Sequence, residues 1–294
     1  MLSICIPTYN TDCSELLDIL AEQIAQLEET VEVLVCDDFS TDYVRKNQDA
    51  CERNGFSFFE NQSNLGSIST RIKLAKNSSF NWLLFIDADM VPVQKKYVHN
   101  YILSMKNNAV VFGGYNYKKD HQKNLLRKNY GVSREQKTVD VRKHTAYKYV
   151  FSGNMLIKKK IFTQSINNPS NCYGYDALLG EALKKNKVKL LHIDNGTFHT
   201  GLEDNVLYLK KLEEGAKLLR NQFENGKIIS GHNNLINLYR FLKKVYLAKI
   251  LFSPILKIHV ISEKTLLKFG RPIVLLDWLR LLSLIHISEP TRPY

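Results

Sequence analysis

Trp82-Leu83-Leu84-Phe85-Ile86-Asp87-Ala88-Asp89 is a run of five apolar residues that ends in two aspartates one residue apart. A short unbroken apolar run has the length and character of a strand buried on both faces, as strands of parallel sheets are. Working backward, Leu2 to Tyr9 reads the same way, and so does Val31 to Cys36, which ends in Asp37-Asp38. Between these runs the apolar residues take helical spacing over Ser14 to Leu27, Thr41 to Asn54 and Ser67 to Lys76, with a short strand at Phe56 to Glu60. This alternation predicts an α/β, Rossmann-like mixed sheet, mostly parallel, with helices on both faces. Ligands of such sheets bind outside the carboxyl ends of the strands. Both acidic clusters fall at strand ends, so they are expected on one rim.

Beyond Ala109 the pattern changes. Val110 to Tyr117 reads as a strand, Lys118 to Lys143 as a polar, basic loop, and Tyr149 to Ile157 as an apolar run around Ser152-Gly153-Asn154. A turn at Asn167-Asn168-Pro169-Ser170 leads to Gly174-Tyr175-Asp176 and a helix to about Lys185. A strand at Val188 to Ile193, a turn, Phe198-His199 and a long helix from Glu203 to Phe223 follow. The expected division is a catalytic domain over 1–225, with halves meeting near 110, then a basic amphipathic helical extension over 226–281. The stretch 282–294, from Leu282-Ser283-Leu284-Ile285-His286 onward, resembles a sequencing adapter translated in frame and is expected to be foreign.

The chain of 294 residues is 44% hydrophobic, enough to bury a full core. Its five cysteines (Cys5, Cys13, Cys36, Cys51, Cys172) form no CxxC pair, which predicts reduced, buried thiols in a cytoplasmic protein. No basic, apolar leader precedes the first strand, and no uncharged stretch of about 18 residues suggests a membrane span. The net charge is +12, of which the residues from Gly226 onward, with 11 Lys/Arg against 3 Asp/Glu, carry +8. Leu238 to Leu247 sets cations beside an apolar face, so an anionic membrane surface is the expected partner of this region. The plainer reading is a helical lid with a solvated basic face. No RNA-binding signature accompanies the charge, and nucleic acid is not expected as a partner.

Two aspartates at the end of a buried strand are costly unless a cation offsets them. Mn²⁺ or Mg²⁺ suits carboxylate oxygen and keeps positions open for phosphate oxygen. An isolated DxD occurs often in surface turns; here the strand ahead of it gives it a place on the rim. At the earlier strand end, Ser40 or Thr41 is expected to cap the next helix, which leaves the paired carboxylates Asp37-Asp38 unexplained by capping alone.

Pro7-Thr8-Tyr9-Asn10, Asp37-Asp38-Phe39-Ser40-Thr41-Asp42, Asn64-Leu65-Gly66 with Arg71, and Asp87-Ala88-Asp89 stand in an order that resembles the family 2 glycosyltransferases. The likeness covers about the first 220 residues and is closest to bacterial enzymes that build surface polysaccharides. It implies the GT-A fold and inverting transfer of a sugar from a nucleotide-sugar donor, UDP-sugar favoured, to a glycan or lipid-linked glycan acceptor. By the same resemblance, Pro7, Thr8, Tyr9 and Asn10 line the nucleotide. Asp38 accepts from the base, Arg71 lies near the diphosphate, and Asp87 and Ala88 lie by the ribose. Asp89 and His199 hold the metal, and Asp176 is the catalytic base. Tyr175 departs from the family's usual glutamate at that place. A general base is needed because a sugar hydroxyl is a poor nucleophile at neutral pH, and a helix N-terminus would keep Asp176 ionised. Each residue also has a plain structural reading: Asp176 as a helix cap, His199 as a core histidine, Arg71 as a solvated helix residue. The resemblance requires Asp38, Asp89 and Asp176 to meet in one pocket.

Three rival readings carry less. A pyrophosphorylase needs a glycine-rich loop after the first strand, and Thr8-Tyr9-Asn10-Thr11-Asp12 has no glycine. A basic membrane-associated adaptor fits the charge and leaves the acidic rim unexplained. A donor-binding but catalytically impaired homologue is what Tyr175 would suggest.

Overall fold

The computed structural model describes residues 1–106, 108–118, 124–166, 174–226, 228, 234–244 and 252–286. It has two compact units: Met1–Lys118, Glu135–Asn171 and Leu179–Gly201 form the first, and Lys119–Arg134, Cys172–Leu178 and Leu202–Tyr294 the second.

The strands in chain order are β1 (Leu2–Thr8), β2 (Val31–Asp37), β3 (Ser57–Glu60), β4 (Trp82–Ile86), β5 (Met90–Pro92), β6 (Val110–Phe112), β7 (Tyr115–Asn116), β8 (Asn154–Lys158), β9 (Leu190–His192) and β10 (Thr197–His199). The α-helices are α1 (Ser14–Ile24), α2 (Val44–Asn54), α3 (Ser67–Asn77), α4 (Tyr97–Ser104), α5 (Leu125–Tyr130), α6 (Val139–His144), α7 (Lys159–Ser165), α8 (Tyr175–Lys185), α9 (Asn205–Glu224), α10 (Asn234–Lys244), α11 (Phe252–Phe269) and α12 (Ile273–His286).

In the first unit, seven strands form a sheet in the order β3-β2-β1-β4-β8-β6-β9. Only β8 runs against its neighbours, β4 and β6. Every residue of β1 is buried, as expected for a central strand covered on both faces. Leu16, Leu17 and Leu20 turn one stripe of α1 inward. A second sheet of three short strands has the order β5-β10-β7.

Several expectations need correction. The strand expected over Val110 to Tyr117 is two strands in different sheets, β6 and β7, because the chain turns between them at Gly113-Gly114. The loop expected over Lys118 to Lys143 holds α5, a π-helical turn at Gly131–Glu135, and α6. Arg142 explains α6: its buried guanidinium donates to the carbonyls of Phe112, Gly113 and Ile193, so tertiary bonds outweigh a polar local sequence. Neither Ser40 nor Thr41 caps α2, which starts after Tyr43 and has no side-chain cap.

The second unit is helical. Asp204 caps α9, accepting from Val206 N at 2.9 Å and Leu207 N at 3.2 Å. One buried cluster joins Tyr208 and Leu212 of α9 with Leu266, Leu276, Leu279 and Leu282. Another joins Ala216 and Leu219 with Ile236, Tyr239, Leu281, Leu284 and Ile285. α9 thus packs with the helices after it, within the second unit. Leu282, Leu284 and Ile285 fall within the stretch expected to be foreign; the residues from 287 onward, like Cys172 and the turn at Asn167–Ser170, lie outside the described residues. Cys5, Cys13, Cys36 and Cys51 are free and buried. Among the described residues, no helix is long and apolar enough to cross a membrane.

Candidate active site

The strand order reverses between β1 and β4: the chain builds leftward through β2 and β3, then returns to the other side of β1. Such a switch point opens a crevice at the strand carboxyl ends. Thr8 ends β1 there, paired in register with Asp37 of β2, and Asp38 N donates to Thr8 O at 2.8 Å. Asp87 follows β4 on the other side of β1. The two acidic clusters therefore do share one rim of the first unit.

On the β2 side, Asn10 ties the loops together. Its backbone takes a left-handed conformation, its N–H donates to Ser40 Oγ at 2.8 Å, and its Oδ1 accepts from Thr41 N at 2.8 Å and Asp42 N at 3.2 Å. Pro7 and Thr8 are buried and Tyr9 is half exposed. Asp37 accepts from Ser40 N and Ser40 Oγ at 2.8 and 2.6 Å. Asp38 is buried and accepts three bonds: Asn61 Nδ2 and Leu65 N at 2.8 Å on one oxygen, Gly66 N at 2.7 Å on the other. A carboxylate accepts about four such bonds. Asp38 anchors the entry to α3 and keeps roughly one acceptor position for a further donor.

On the β4 side the protein supplies its own counter-charges. Arg71 of α3 is buried, forms an ion pair with Asp87 through Nη2, and donates from Nη1 to Ser67 O at 3.2 Å. Its buried Nε has no hydrogen-bond partner. The surroundings of half-buried Asp87 raise its pKa by desolvation; Arg71 works against that rise and Asp89 with it. Asp89 Oδ2 lies 2.9 Å from His199 Nε2. This contact is made by a short antiparallel pair in which His199 of β10 faces Met90 of β5. Thr200 closes it, donating from N and Oγ1 to Asp89 O at 2.9 and 2.7 Å. Ala88 is buried between the two aspartates. So the offsetting cation expected from sequence is, for Asp87, the guanidinium of Arg71.

Asp176 lies in the first turn of α8, half-buried, beside a buried Tyr175. Both belong to the second unit.

Several rim residues carry no motif. Gly153 O accepts from Asp87 N at 3.1 Å, and a Cβ at Gly153 would lie 2.1 Å from Asp87 Oδ2 and 2.6 Å from the Tyr115 hydroxyl. Next to it Asn154 is fully buried and saturated: Oδ1 accepts from Tyr97 and Tyr101 at 2.7 and 2.5 Å, and Nδ2 donates to Gly114 O and Asn195 O at 2.8 and 3.1 Å. Tyr115 and Tyr117 both pack on the His199 ring. The Ser152-Gly153-Asn154 turn was visible as a break in an apolar run, but nothing in it announced contact with Asp87.

Asp89 and His199 bring one carboxylate and one imidazole to the same point. Among the described residues, no group of three or more His, Cys, Asp or Glu side chains is placed to hold a metal. The described residues of the rim therefore build no closed cage. A two-donor set suits a hard cation that takes its remaining ligands from water and phosphate oxygen.

The model of glycosyl transferase family 2 matches residues 3–165. The chain belongs to this family. Its fold is shared with several solved structures. Glucosyl-3-phosphoglycerate synthase from Mycobacterium tuberculosis, in complex with Mn²⁺, UDP and glucosyl-3-phosphoglycerate, superposes with a TM-score of 0.51 at 15% identity, over 74% of this chain and 78% of that one. S. aureus TarS 1-349 in complex with UDP-GlcNAc gives 0.52 at 15% identity, over 99% and 93%. The mannosyltransferase PcManGT from Pyrobaculum calidifontis, in complex with GDP-Man and Mn²⁺, gives 0.55 at 14%, over 98% and 86%. At these identities the likeness establishes the GT-A fold. No curated protein matches.

Proposed function

We propose that this family 2 chain is an inverting, hexosyltransferase-type enzyme of the cytoplasm, moving one sugar from a nucleotide-diphosphate sugar, UDP-sugar first, to the hydroxyl of a glycan or lipid-linked glycan in bacterial surface-polysaccharide synthesis. The observation that carries this reading is the pair of contacts on one rim, Asp89 with His199 and Asp87 with Arg71, at the switch point of the sheet. Asp89 and His199 would hold Mn²⁺ or Mg²⁺, which when bound offsets the charge of the departing nucleoside diphosphate. Solved neighbours of the same fold with Mn²⁺ and UDP or GDP-Man support that choice.

The remaining roles are those that the family implies for these positions. Thr8, Tyr9 and Asn10, with Pro7 behind them, line the nucleotide side, and the open acceptor position of Asp38 takes a base N–H. Asp87, held by Arg71, and Ala88 border the ribose, and the unpartnered Nε of Arg71 is a donor for a diphosphate oxygen. Asp176 takes the acceptor hydroxyl proton as that oxygen bonds to the anomeric carbon. The anomeric bond to the diphosphate oxygen breaks with its electron pair staying on the diphosphate, and the configuration inverts.

A thermal-shift panel of UDP-, GDP- and dTDP-sugars with Mn²⁺ tests this. A bound donor at about 100 times its Kd stabilises the fold by about 2.7 kcal/mol, a shift of several degrees. No shift with any nucleotide sugar would sink the proposal.

A further inference from the structure

His199 has two ring nitrogens, and the fold gives each a different neighbour. Nε2 faces Asp89 Oδ2 at 2.9 Å, and Nδ1 lies 3.4 Å from the Tyr117 hydroxyl. The second sheet brings Tyr117 there. β7 and β10 run parallel, with Tyr115 beside Thr197 and Asn116 beside Phe198, so the residue after β7 arrives next to His199. The two rings meet at 5.8 Å between centroids, tilted by 57°, and both residues are buried. One short segment then holds Tyr117 twice. Gln136 Oε1 accepts from Tyr117 N at 3.2 Å, and Glu135 Oε2 accepts the proton of the Tyr117 hydroxyl. Glu135 ends the π-helical turn at Gly131–Glu135 and is half-buried.

The direction of that hydroxyl matters, because an imidazole nitrogen ligates a cation only through its lone pair. A hydroxyl donating to Nδ1 would leave the ring proton of a neutral histidine on Nε2, the nitrogen beside Asp89. Glu135 draws the hydroxyl proton the other way, since a carboxylate makes the stronger, charge-assisted bond. The phenol oxygen is left with lone pairs toward Nδ1 and accepts from Nδ1–H. As plain packing, the ring of Tyr117 would serve equally well without its hydroxyl.

We infer that Tyr117, oriented by Glu135, is a positioning residue for His199, holding the ring proton on Nδ1 and the Nε2 lone pair toward the metal. This rests on the metal role proposed above for Asp89 and His199. Tyr117 and Glu135 act only through the imidazole.

The test is calorimetric titration of the full chain with UDP, with and without Mn²⁺, alongside melting temperatures taken without metal. The Nδ1 contact is long for a hydrogen bond, which puts the expected effect at the low end of what such supporting groups contribute. Tyr117→Phe and Glu135→Ala are each expected to lower UDP affinity in Mn²⁺ by about 10-fold, with metal-free UDP affinity and melting temperature unchanged. Glu135→Gln, which keeps an acceptor oxygen, is expected to restore most of the loss seen with alanine. In a His199→Ala background, Tyr117→Phe is expected to have no further effect, since both act through one ring. Equal losses with and without Mn²⁺, or a Tyr117→Phe loss that persists without His199, overturn the inference by making Tyr117 a packing residue. Mn²⁺-dependent wild-type binding that neither Tyr117→Phe nor Glu135→Ala alters overturns this inference alone. Wild-type binding indifferent to Mn²⁺ overturns the metal reading with it.

Discussion

His199 Nε2 lies 2.9 Å from Asp89 Oδ2, although 110 residues separate them in sequence. The β5–β10 pairing brings them together, so neither side chain can be moved without disturbing the other. For a two-donor site, His199→Ala and Asp89→Ala are each expected to weaken the Mn²⁺ dependence of donor binding by at least about 10–100-fold. Calorimetric titration of UDP with and without Mn²⁺ checks this. Variants that bind UDP and Mn²⁺ like the wild type would remove both residues from the metal site.

If Asp176 is the base proposed above, its replacement separates chemistry from binding. Asp176→Asn is expected to lower kcat by about 10²–10⁴-fold while donor affinity stays at the wild-type value. Steady-state kinetics alongside UDP titration decides it. An equal loss in both would make Asp176 a structural cap of α8.

Gly153 and Gly201 press on the two aspartates from behind. A Cβ at Gly201 would lie 2.3 Å from Asp89 Oδ2, as one at Gly153 would lie 2.1 Å from Asp87 Oδ2. Gly153→Ala and Gly201→Ala are expected to cost about 1–3 kcal/mol of stability and to displace the carboxylates. The readout is a denaturation midpoint together with UDP affinity. Alanine at either place without change in both measurements would show that the rim yields more easily than the geometry implies.

His192 makes the first unit sensitive to acid. One neutral tautomer satisfies its neighbours: Nε2–H donates to Ala146 O at 3.0 Å, and Nδ1 accepts from Arg142 Nη1 at 3.2 Å. Burial first, then the charges of Arg142 and Lys143, hold its pKa down to about 4, against 6.5 when unfolded. Between those values the unfolded chain binds the extra proton. Stability is therefore full above about pH 6.5 and falls as the pH drops toward 4, by about 3 kcal/mol from this group. Urea denaturation at pH 7 and pH 4.5 should show a smaller loss for His192→Gln than for the wild type. Parallel losses would rule His192 out as the cause.

Much of the first unit was legible because its physics is local. Buried strands such as Leu2–Thr8 and Trp82–Ile86 announce themselves as apolar runs, and the aspartates after them fall on the rim by sheet topology alone. What stayed hidden depends on contacts distant in sequence. Met90–Pro92 and Thr197–His199 are too short to show a period, yet their pairing sets His199 against Asp89. Arg71 is expected near the rim from its place after Gly66, but its ion pair with Asp87 shows only in the fold. α5 and α6 sit in polar sequence and owe their form to tertiary bonds such as those of Arg142. Ser40 offered itself as a helix cap and instead bridges Asp37 and Asn10.

The reversed direction of β8 has a consequence for how the rim is assembled. Asn154 sits opposite Ile86, so β8 begins where its neighbour β4 finishes. Residues that lead into this strand, Ser152 and Gly153, thus arrive at the carboxyl-end rim from upstream, whereas the other strands of the seven-stranded sheet reach that rim at their downstream ends. A change just ahead of Asn154 is therefore felt at the crevice without passing through the sheet, because Gly153 already bonds Asp87 and leaves no room beside its carboxylate.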